Sequence, residues 1–596
     1  MPALERTANP NSLKAMQAWL KQAIGVPGLL VQVWSALSIV FSIALMALVP
    51  RIGILVSGCL ALAVHVWLHL GSRKAVLSGT CFGPKTFFVV KKALNYFAFI
   101  QFCFHSIALV LAWSASSLAD TGYYALYAVS ALVSGSYLPI FFIMNSRRNQ
   151  VEHGIMQVIS KNGRNKYRPL NVYRGFLPGL LSWVDALAWA SAVVIFINSL
   201  FFQLYQIPSE SMVPDLYIGT RVFTVKTLTN PEIPLSLVRV PLVAGIDRFD
   251  QYVLSNPRYN FKKEQVLTDF WHNFLYMISF TKIQFPRLDE YGQEIADPLI
   301  KRLIGLPGEQ LLMADDVVYV RDGGTGDYRM LTGEANHAYN YVNDLPIDLS
   351  RVRGISIQPA DRARMLAWDA EKQAVQADYA ARRQRYLDWF DTLPARWQAA
   401  RLDADRLPTL EAGARSFRIN DNSIVNESRL AGWLRWSLTD HAAFLGQLED
   451  FLTLWQSAAA PANRWEESAL ATNLLFKVKA MEALLALGDG LLAGSDYSWE
   501  LQLRELGDYH DRYVRRYFDL RNFAPFPNEG GLPAGEYFFM GDNRYNSVDF
   551  RHLNHYHFVE KPLYSKDPWS LAYSSNQQLF SLNRSRIKGK ALFSLF

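Results

Sequence analysis

Cysteine is almost absent from this 596-residue chain: there are three, Cys59, Cys81 and Cys103, and none follows. Everything beyond residue 103 must therefore hold its fold without a disulfide framework. No phosphate-binding Gly-rich loop, dinucleotide fingerprint or His-Glu-x-x-His pair occurs, so nucleotide and zinc-protease chemistry have no motif here. No internal repeat and no low-complexity tract is present. The net charge of +7 does not point to nucleic acid, because much of the Lys and Arg sits in two loops between apolar segments. What the chain does have is apolar surface. Its mean hydropathy of +0.02 is what strongly apolar segments mixed with an ordinary polar domain give.

The first 28 residues are polar and mildly basic, and no small-residue cleavage site ends a short apolar core, so the first apolar run reads as a retained anchor. That run, 29–49, reaches the roughly 20 residues a membrane helix needs. Further spans are expected at 52–70, 96–114, 123–144 and 182–204. Pro50-Arg51 is so short a connection that the first two could instead form one re-entrant pair. Loop 72–95 carries Arg73, Lys74, Lys85, Lys91 and Lys92, and loop 145–181 is equally basic, whereas the alternate connections are short and hold almost no base. Basic loops stay cytoplasmic, which predicts an inside N-terminus and an outside position for everything after residue 205.

Beyond the apolar half, 205–313 and 526–596 mix short strand-like runs with turns. Thr220–Val225, Val317–Val320 before Gly323-Gly324, and Glu536–Met540 before Gly541-Asp542 all read as strands. Between them the period changes. Trp368, Val375, Tyr379, Tyr386, Phe390, Leu393 and Trp397 recur at sevens, fours and threes, and Leu434 to Trp455 repeats the pattern. That is one apolar face of a helix. It predicts a helical bundle over 358–522, inserted into the β region as a module that a short linker could replace.

Three short motifs carry chemistry. Ile207-Pro208-Ser209-Glu210-Ser211-Met212-Val213-Pro214 follows the last apolar run, and Lys301-Arg302-Leu303-Ile304-Gly305-Leu306-Pro307-Gly308-Glu309 comes next. Met540-Gly541-Asp542-Asn543-Arg544-Tyr545-Asn546-Ser547-Val548-Asp549-Phe550-Arg551 lies near the end. Serine is a weak nucleophile unless a neighbour takes its proton. A lysine can do so once burial has lowered its value from near 10.4. Leu299, Ile300, Leu303, Ile304 and Leu306 give Lys301 an apolar setting, although the same alternation suits a surface lysine on an ordinary strand, with Arg302 pointing the opposite way.

Together, in this order, the motifs resemble bacterial type I signal peptidase, the serine–lysine peptidase family that removes signal peptides. The resemblance implies Ser211 as nucleophile and Lys301 as general base. It implies that Ser209 Oγ and the Ser211 backbone N–H form the oxyanion hole, and that Ser547 aims the lysine. Asp549 and Arg551 would be a supporting ion pair, with Asp542, Asn543 and Arg544 in the loop that holds the same corner. Tyr205, Ile207, Met212 and Ile300 would line shallow pockets that accept small-x-small (Ala-x-Ala) sites. The family's middle box, a Gly-Asp followed by an apolar strand between serine and lysine, has no clear counterpart, its nearest candidate being the region around Ile283–Arg287, and Tyr545 stands where an acidic residue is common.

The expected fold class is a polytopic α-helical membrane region followed by an all-β signal-peptidase-like catalytic body with a large inserted α-helical bundle. Its parts are a cytoplasmic N-terminus (1–28), a membrane region with about five helices (29–204), a first catalytic segment (205–357), the insert (358–522) and a second catalytic segment (523–596). The implied location is the bacterial cytoplasmic membrane with the catalytic body outside. The implied partners are preprotein signal peptides, the lipid bilayer and the secretion translocon, with no cofactor, no metal and no nucleic acid. The competing readings are a non-catalytic membrane scaffold that binds exported proteins or the translocon, and a transporter with an appended domain. His552, His555 and His557 could suggest a metal, but loop spacing of this kind is compatible with only two ligands, and no metal is expected.

Overall fold

The computed structural model describes residues 201–227, 245–257 and 298–595, apart from 355, 411–414, 420–425, 458–460, 495–497 and 553–556, together with scattered positions before 201. The chain divides into two compact units, and the second (Phe202–Asn230, Pro241–Tyr259 and Ile295–Phe596) holds every element below.

Thirteen strands are described: β1 (Phe202–Gln206), β2 (Arg221–Val225), β3 (Gln251–Leu254), β4 (Leu299–Gly305), β5 (Glu309–Ala314), β6 (Val317–Asp322), β7 (Arg329–Met330), β8 (Phe523–Phe526), β9 (Glu536–Met540), β10 (Val559–Pro562), β11 (Ala572–Ser575), β12 (Leu582–Asn583) and β13 (Ile587–Leu595). The main sheet runs β1-β2-β13-β3-β4-β9-β12, a second runs β7-β6-β5-β8, and β10 pairs with β11. Tyr252, Leu303, Leu311, Met313, Phe538 and Phe539 belong to one buried apolar core shared by strands of both large sheets. Because side chains alternate along a strand, β4 sends Lys301 and Leu303 to one face and Ile300 and Arg302 to the other, before its register with β9 shifts between Leu303 and Gly305.

The helical insert leaves the second sheet after β7 and returns at β8. It comprises α1 (Pro359–Ala399), α2 (Glu427–Thr439), α3 (His441–Ser457), α4 (Arg464–Ala493), α5 (Ser498–Asp508), a π-helical stretch Tyr509–Tyr517, and α6 (Phe518–Arg521). Its ends follow local chemistry. Pro359 opens α1, where a missing N–H costs nothing. Asn426 and Asn463 cap α2 and α4 by accepting from Arg429 N and Glu466 N. Gly494 closes α4 in the left-handed region. The aromatic stripe of α1 is buried, and α4 is buried on nearly every side, as a central helix must be.

The polytopic membrane expectation is corrected. No helix among the described residues is long and apolar enough to cross a membrane. The long helices that are described carry charge along their length: Arg362, Arg364, Lys372, Arg382 and Arg396 on α1, and Lys477, Lys479 and Glu482 on α4. The expected span at 182–204 runs into β1, a strand paired residue by residue with β2. The reason lies in Phe202-Gln203-Leu204-Tyr205-Gln206, which alternates with period two as a strand does, although a hydropathy window sees only its apolar half. The expected spans at 29–49, 52–70, 96–114 and 123–144 lie almost wholly outside the described residues. The described fold is thus a β-rich body carrying a helical insert.

Candidate active site

Lys301 Nζ lies 2.8 Å from Ser211 Oγ, although ninety positions separate the residues. Ser211 comes from the turn after β1, which is pinned by Ile207 N to Thr220 O and Gly219 N to Ile207 O, each 2.9 Å. Lys301 is on β4, between β3 and β9, with Tyr252 of β3 opposite it in register. Both side chains are buried, Lys301 at 3% exposure. Burial pulls the lysine down from 10.5 to about 8, and the Asp549 and Asp542 charges oppose this only in part. An amine that titrates there is neutral for a useful fraction of the time at ordinary pH, which a base requires.

Ser209 is exposed, and its Oγ lies 3.3 Å from Ser211 Oγ, on the side open to solvent. Ile207, Met212, Leu216 and Val222 form a small buried cluster with Ile300 and Ala591 packed against it. Met212 is fully buried in this cluster, whereas Ile300 is half-buried beside Lys301. Tyr205, half-buried on β1, donates its O–H to Gln203 Oε1 at 2.7 Å.

The loop after β9 closes the corner. Asn543 N donates to Ser211 O at 3.1 Å and Asn543 Nδ2 to Glu210 O at 3.2 Å, so this loop holds the nucleophile by its backbone. Gly541 is required: a Cβ there would collide with Ser547 Oγ and the Ser211 carbonyl oxygen. Asp549 accepts from Gly541 N at 3.0 Å and from two nitrogens of Arg551 at 2.9 Å each. Burial would raise its value, but the Arg551 charge and these bonds outweigh it and hold Asp549 well below the carboxylate range. Arg302 leaves the other face of β4 and grips Asp542 through two bonds, at 2.7 and 2.6 Å.

Ser547, expected to aim Lys301, is buried at this corner. Its Oγ is buried against Gly541 and has no hydrogen-bond partner among the described residues. The remaining named residues do converge, since Ser209, Ser211, Lys301, Asp542, Asn543, Asp549 and Arg551 all meet at this corner. His552 is buried beside it, and burial followed by the Arg551 charge holds it below its ordinary value. His557 is exposed, and His555 lies outside the described residues. Among the described residues no group of His, Cys, Asp or Glu could hold a metal ion.

Several partnerships at this corner escape sequence reading. Arg544 pairs with buried Glu334, 2.5 Å away. Glu210, inside the serine motif, accepts from Arg353 N and from Asn546 Nδ2. The strand beside Lys301 is β3, directly after Asp250, whereas Ile283–Arg287 lies outside the described residues. Asp250 before Gln-Tyr-Val-Leu is the signal that could have found it, but Phe249, at φ 68°, stands where the box has Gly.

A family model described as signal peptidase, peptidase S26, matches residues 180–365 and 497–562. The stretch between the two matched segments contains nearly all of α1 and the whole of α2, α3 and α4. No curated protein and no solved structure matches the chain.

Proposed function

Since this chain carries the signal peptidase domain of peptidase family S26, and is by that a serine peptidase of the signal-peptide-removing kind, we propose that it cleaves exported preproteins with Ser211 as nucleophile and Lys301 as general base. The observation that carries the reading is a buried lysine amine 2.8 Å from a serine hydroxyl, with no histidine on that serine among the described hydrogen bonds. Neutral Lys301 takes the Ser211 proton as Oγ attacks the scissile carbonyl, and an acyl-enzyme forms. The protonated amine then gives its proton to the leaving amine. Water, deprotonated by the same lysine, then hydrolyses the ester, which releases the signal peptide with a new C-terminal carboxylate and restores the Ser211 hydroxyl. The Ser211 backbone N–H and Ser209 Oγ stabilise the oxyanion, a contribution of about 100- to 1000-fold per donor in comparable sites.

Specificity follows from the walls. Ile207 and Ile300, to which the resemblance assigns the walls of shallow pockets, pack into one small apolar cluster, and shallow walls favour Ala or another small residue at the positions one and three before the cut. The substrate class is therefore a signal peptide ending in small-x-small, met on the extracytoplasmic side where such sites emerge. The test is cleavage of a purified preprotein with an Ala-x-Ala site. Wild type is expected to cut after the second Ala and Ser211→Ala to leave the preprotein intact. Equal cleavage by both would sink the reading.

A further inference from the structure

The β5–β6 connection is a two-residue turn in which Asp315 and Asp316 both take positive φ, 48° and 71°. Such turns ordinarily use Asn-Gly, because side-chain-bearing residues tolerate this backbone poorly. Two aspartates in that place point to a role for the carboxylates themselves. Each reaches into the helical insert. Asp315 Oδ1 meets Lys372 Nζ of α1 at 2.7 Å and accepts from Ser468 Oγ of α4 at 2.9 Å. Asp316 Oδ2 accepts from Arg521 Nε at 2.7 Å, and Arg521 reaches on to Asp369 of α1, also at 2.7 Å.

The other oxygen of Asp316 faces the catalytic loop and accepts the Tyr545 O–H at 2.6 Å. Burial holds Tyr545 well above the ordinary phenol range, so the hydroxyl keeps its proton to donate. The ring is wedged edge-on against Tyr341 and Tyr517, with centroids 4.6 and 5.5 Å away. The same loop is tied a second time where Arg551 Nη1 donates to Leu520 O at 2.7 Å. Ser547 and Asp549 lie between these two anchors, and Asn543 N holds the Ser211 carbonyl two residues before Tyr545. Movement at Tyr545 therefore reaches the nucleophile through a short, covalently continuous path.

We propose that Tyr545 is a positioning residue through which the helical insert, by way of Asp316 and Arg521, sets the catalytic loop against Ser211 and Lys301. The inference rests on the proteolytic reading above. It makes the insert part of the machinery that orders the site, and it gives a use to an Asp-Asp turn that the hairpin alone does not need.

Tyr545→Phe tests it, since the substitution keeps the ring and removes only the hydroxyl. Amide exchange across loop 541–551 is expected to quicken about tenfold, the order of one lost hydrogen bond. The kcat for preprotein cleavage should fall about tenfold with KM within a factor of two. The acid limb of the pH–rate profile should move upward as water reaches Lys301. Asp316→Asn keeps a residue that tolerates left-handed backbone while removing the charge between Tyr545 and Arg521, and the same changes are expected of it. Asp567→Asn, which breaks an ion pair away from this loop, should lower thermal stability and leave the limb in place. An active wild type whose Tyr545→Phe and Asp316→Asn variants keep its limb overturns the inference alone, whatever their loop exchange. A wild type that cleaves nothing overturns the proteolytic reading, and the inference falls with it.

Discussion

Lys477 and Lys301, two of the lysines buried among the described residues, sit under different terms. Lys477, in the middle of α4, is 1% exposed and meets Asp567 at 2.6 Å and the Phe451 carbonyl at 2.7 Å. Lys301, on β4, is as deeply buried, but its described hydrogen-bond partner is the hydroxyl of Ser211, and the Asp542 and Asp549 carboxylates nearby are each engaged by an arginine. Burial pulls the Lys477 amine down too, but the charge and hydrogen bond of Asp567 oppose it, as a carboxylate does for a paired lysine. An unpaired one sheds its proton near neutrality and can act as a base. Lys477 is tied by an ion pair, whereas Lys301 is left to a hydroxyl.

The largest effect expected from breaking this contrast is at Lys301. Lys301→Arg should abolish preprotein cleavage, about 10,000-fold or more in single-turnover rate, because a guanidinium stays protonated at any working pH. The wild-type rate should rise with pH along one limb centred near 8, where burial has brought the amine. Wild-type turnover by Lys301→Arg would remove the lysine from the mechanism.

Next comes the paired lysine. Asp567→Asn leaves Lys477 charged and buried, since Asn473 Nδ2, which now donates to Asp567, cannot neutralise it. Breaking a buried pair from one side costs about 3–5 kcal/mol. Urea unfolding should register that loss while the limb near pH 8 stays where it is. A shift of the limb would mean that the two lysines are coupled.

How much of this is legible in the sequence depends on how local the cause is. The α1 stripe of Trp368, Val375, Tyr379, Tyr386, Phe390, Leu393 and Trp397 is readable because burial on one helix face imposes its own period. The serine turn, the lysine strand and the Gly541–Arg551 loop are readable for a related reason: each is a short segment whose residues work together. The unreadable parts are long-range or ambiguous. Nothing near Ile587 announces that β13 slots between β2 and β3, and Glu334 meets Arg544 from 210 positions away. The edge strand β1 is hidden inside an apolar run that a hydropathy window takes for a helix. The insert looks like a removable module because its period is self-contained. Its bonds to the catalytic loop, from Arg521 through Asp316 to Tyr545 and from Leu520 to Arg551, run through single polar atoms that leave no periodic trace.

A smaller effect, opposite in sign, follows from the same contrast. Lys301→Met should stabilise the fold at neutral pH while removing activity. The fall from 10.5 to about 8 corresponds to roughly 3 kcal/mol, and the lost bond to Ser211 takes back about 1 kcal/mol. Unfolding takes up a proton between those two values, so the penalty in the wild type is fully present below pH 8 and fades as pH rises toward 10.5. Urea midpoints at pH 7 and pH 10 should thus show an advantage for the variant at the lower pH and a narrower gap at the higher. An advantage that grew with pH would contradict the buried, unneutralised amine.

The smallest expected effect separates Ser547 from the dyad. The resemblance gives this serine the task of aiming Lys301, yet its hydroxyl sits against Gly541 without a partner among the described residues. A hydroxyl that makes no bond in the resting site can contribute at most the one it gains when substrate is bound. One hydrogen bond is worth about 0.5–1.5 kcal/mol, so Ser547→Ala should slow cleavage by roughly tenfold at most, with the limb near pH 8 displaced little. Ser547→Val, which refills the buried volume without the hydroxyl, should match it if space around Gly541 permits the extra methyl. A loss of a thousandfold in Ser547→Ala would mean that the hydroxyl turns onto Lys301 during the reaction and holds it there.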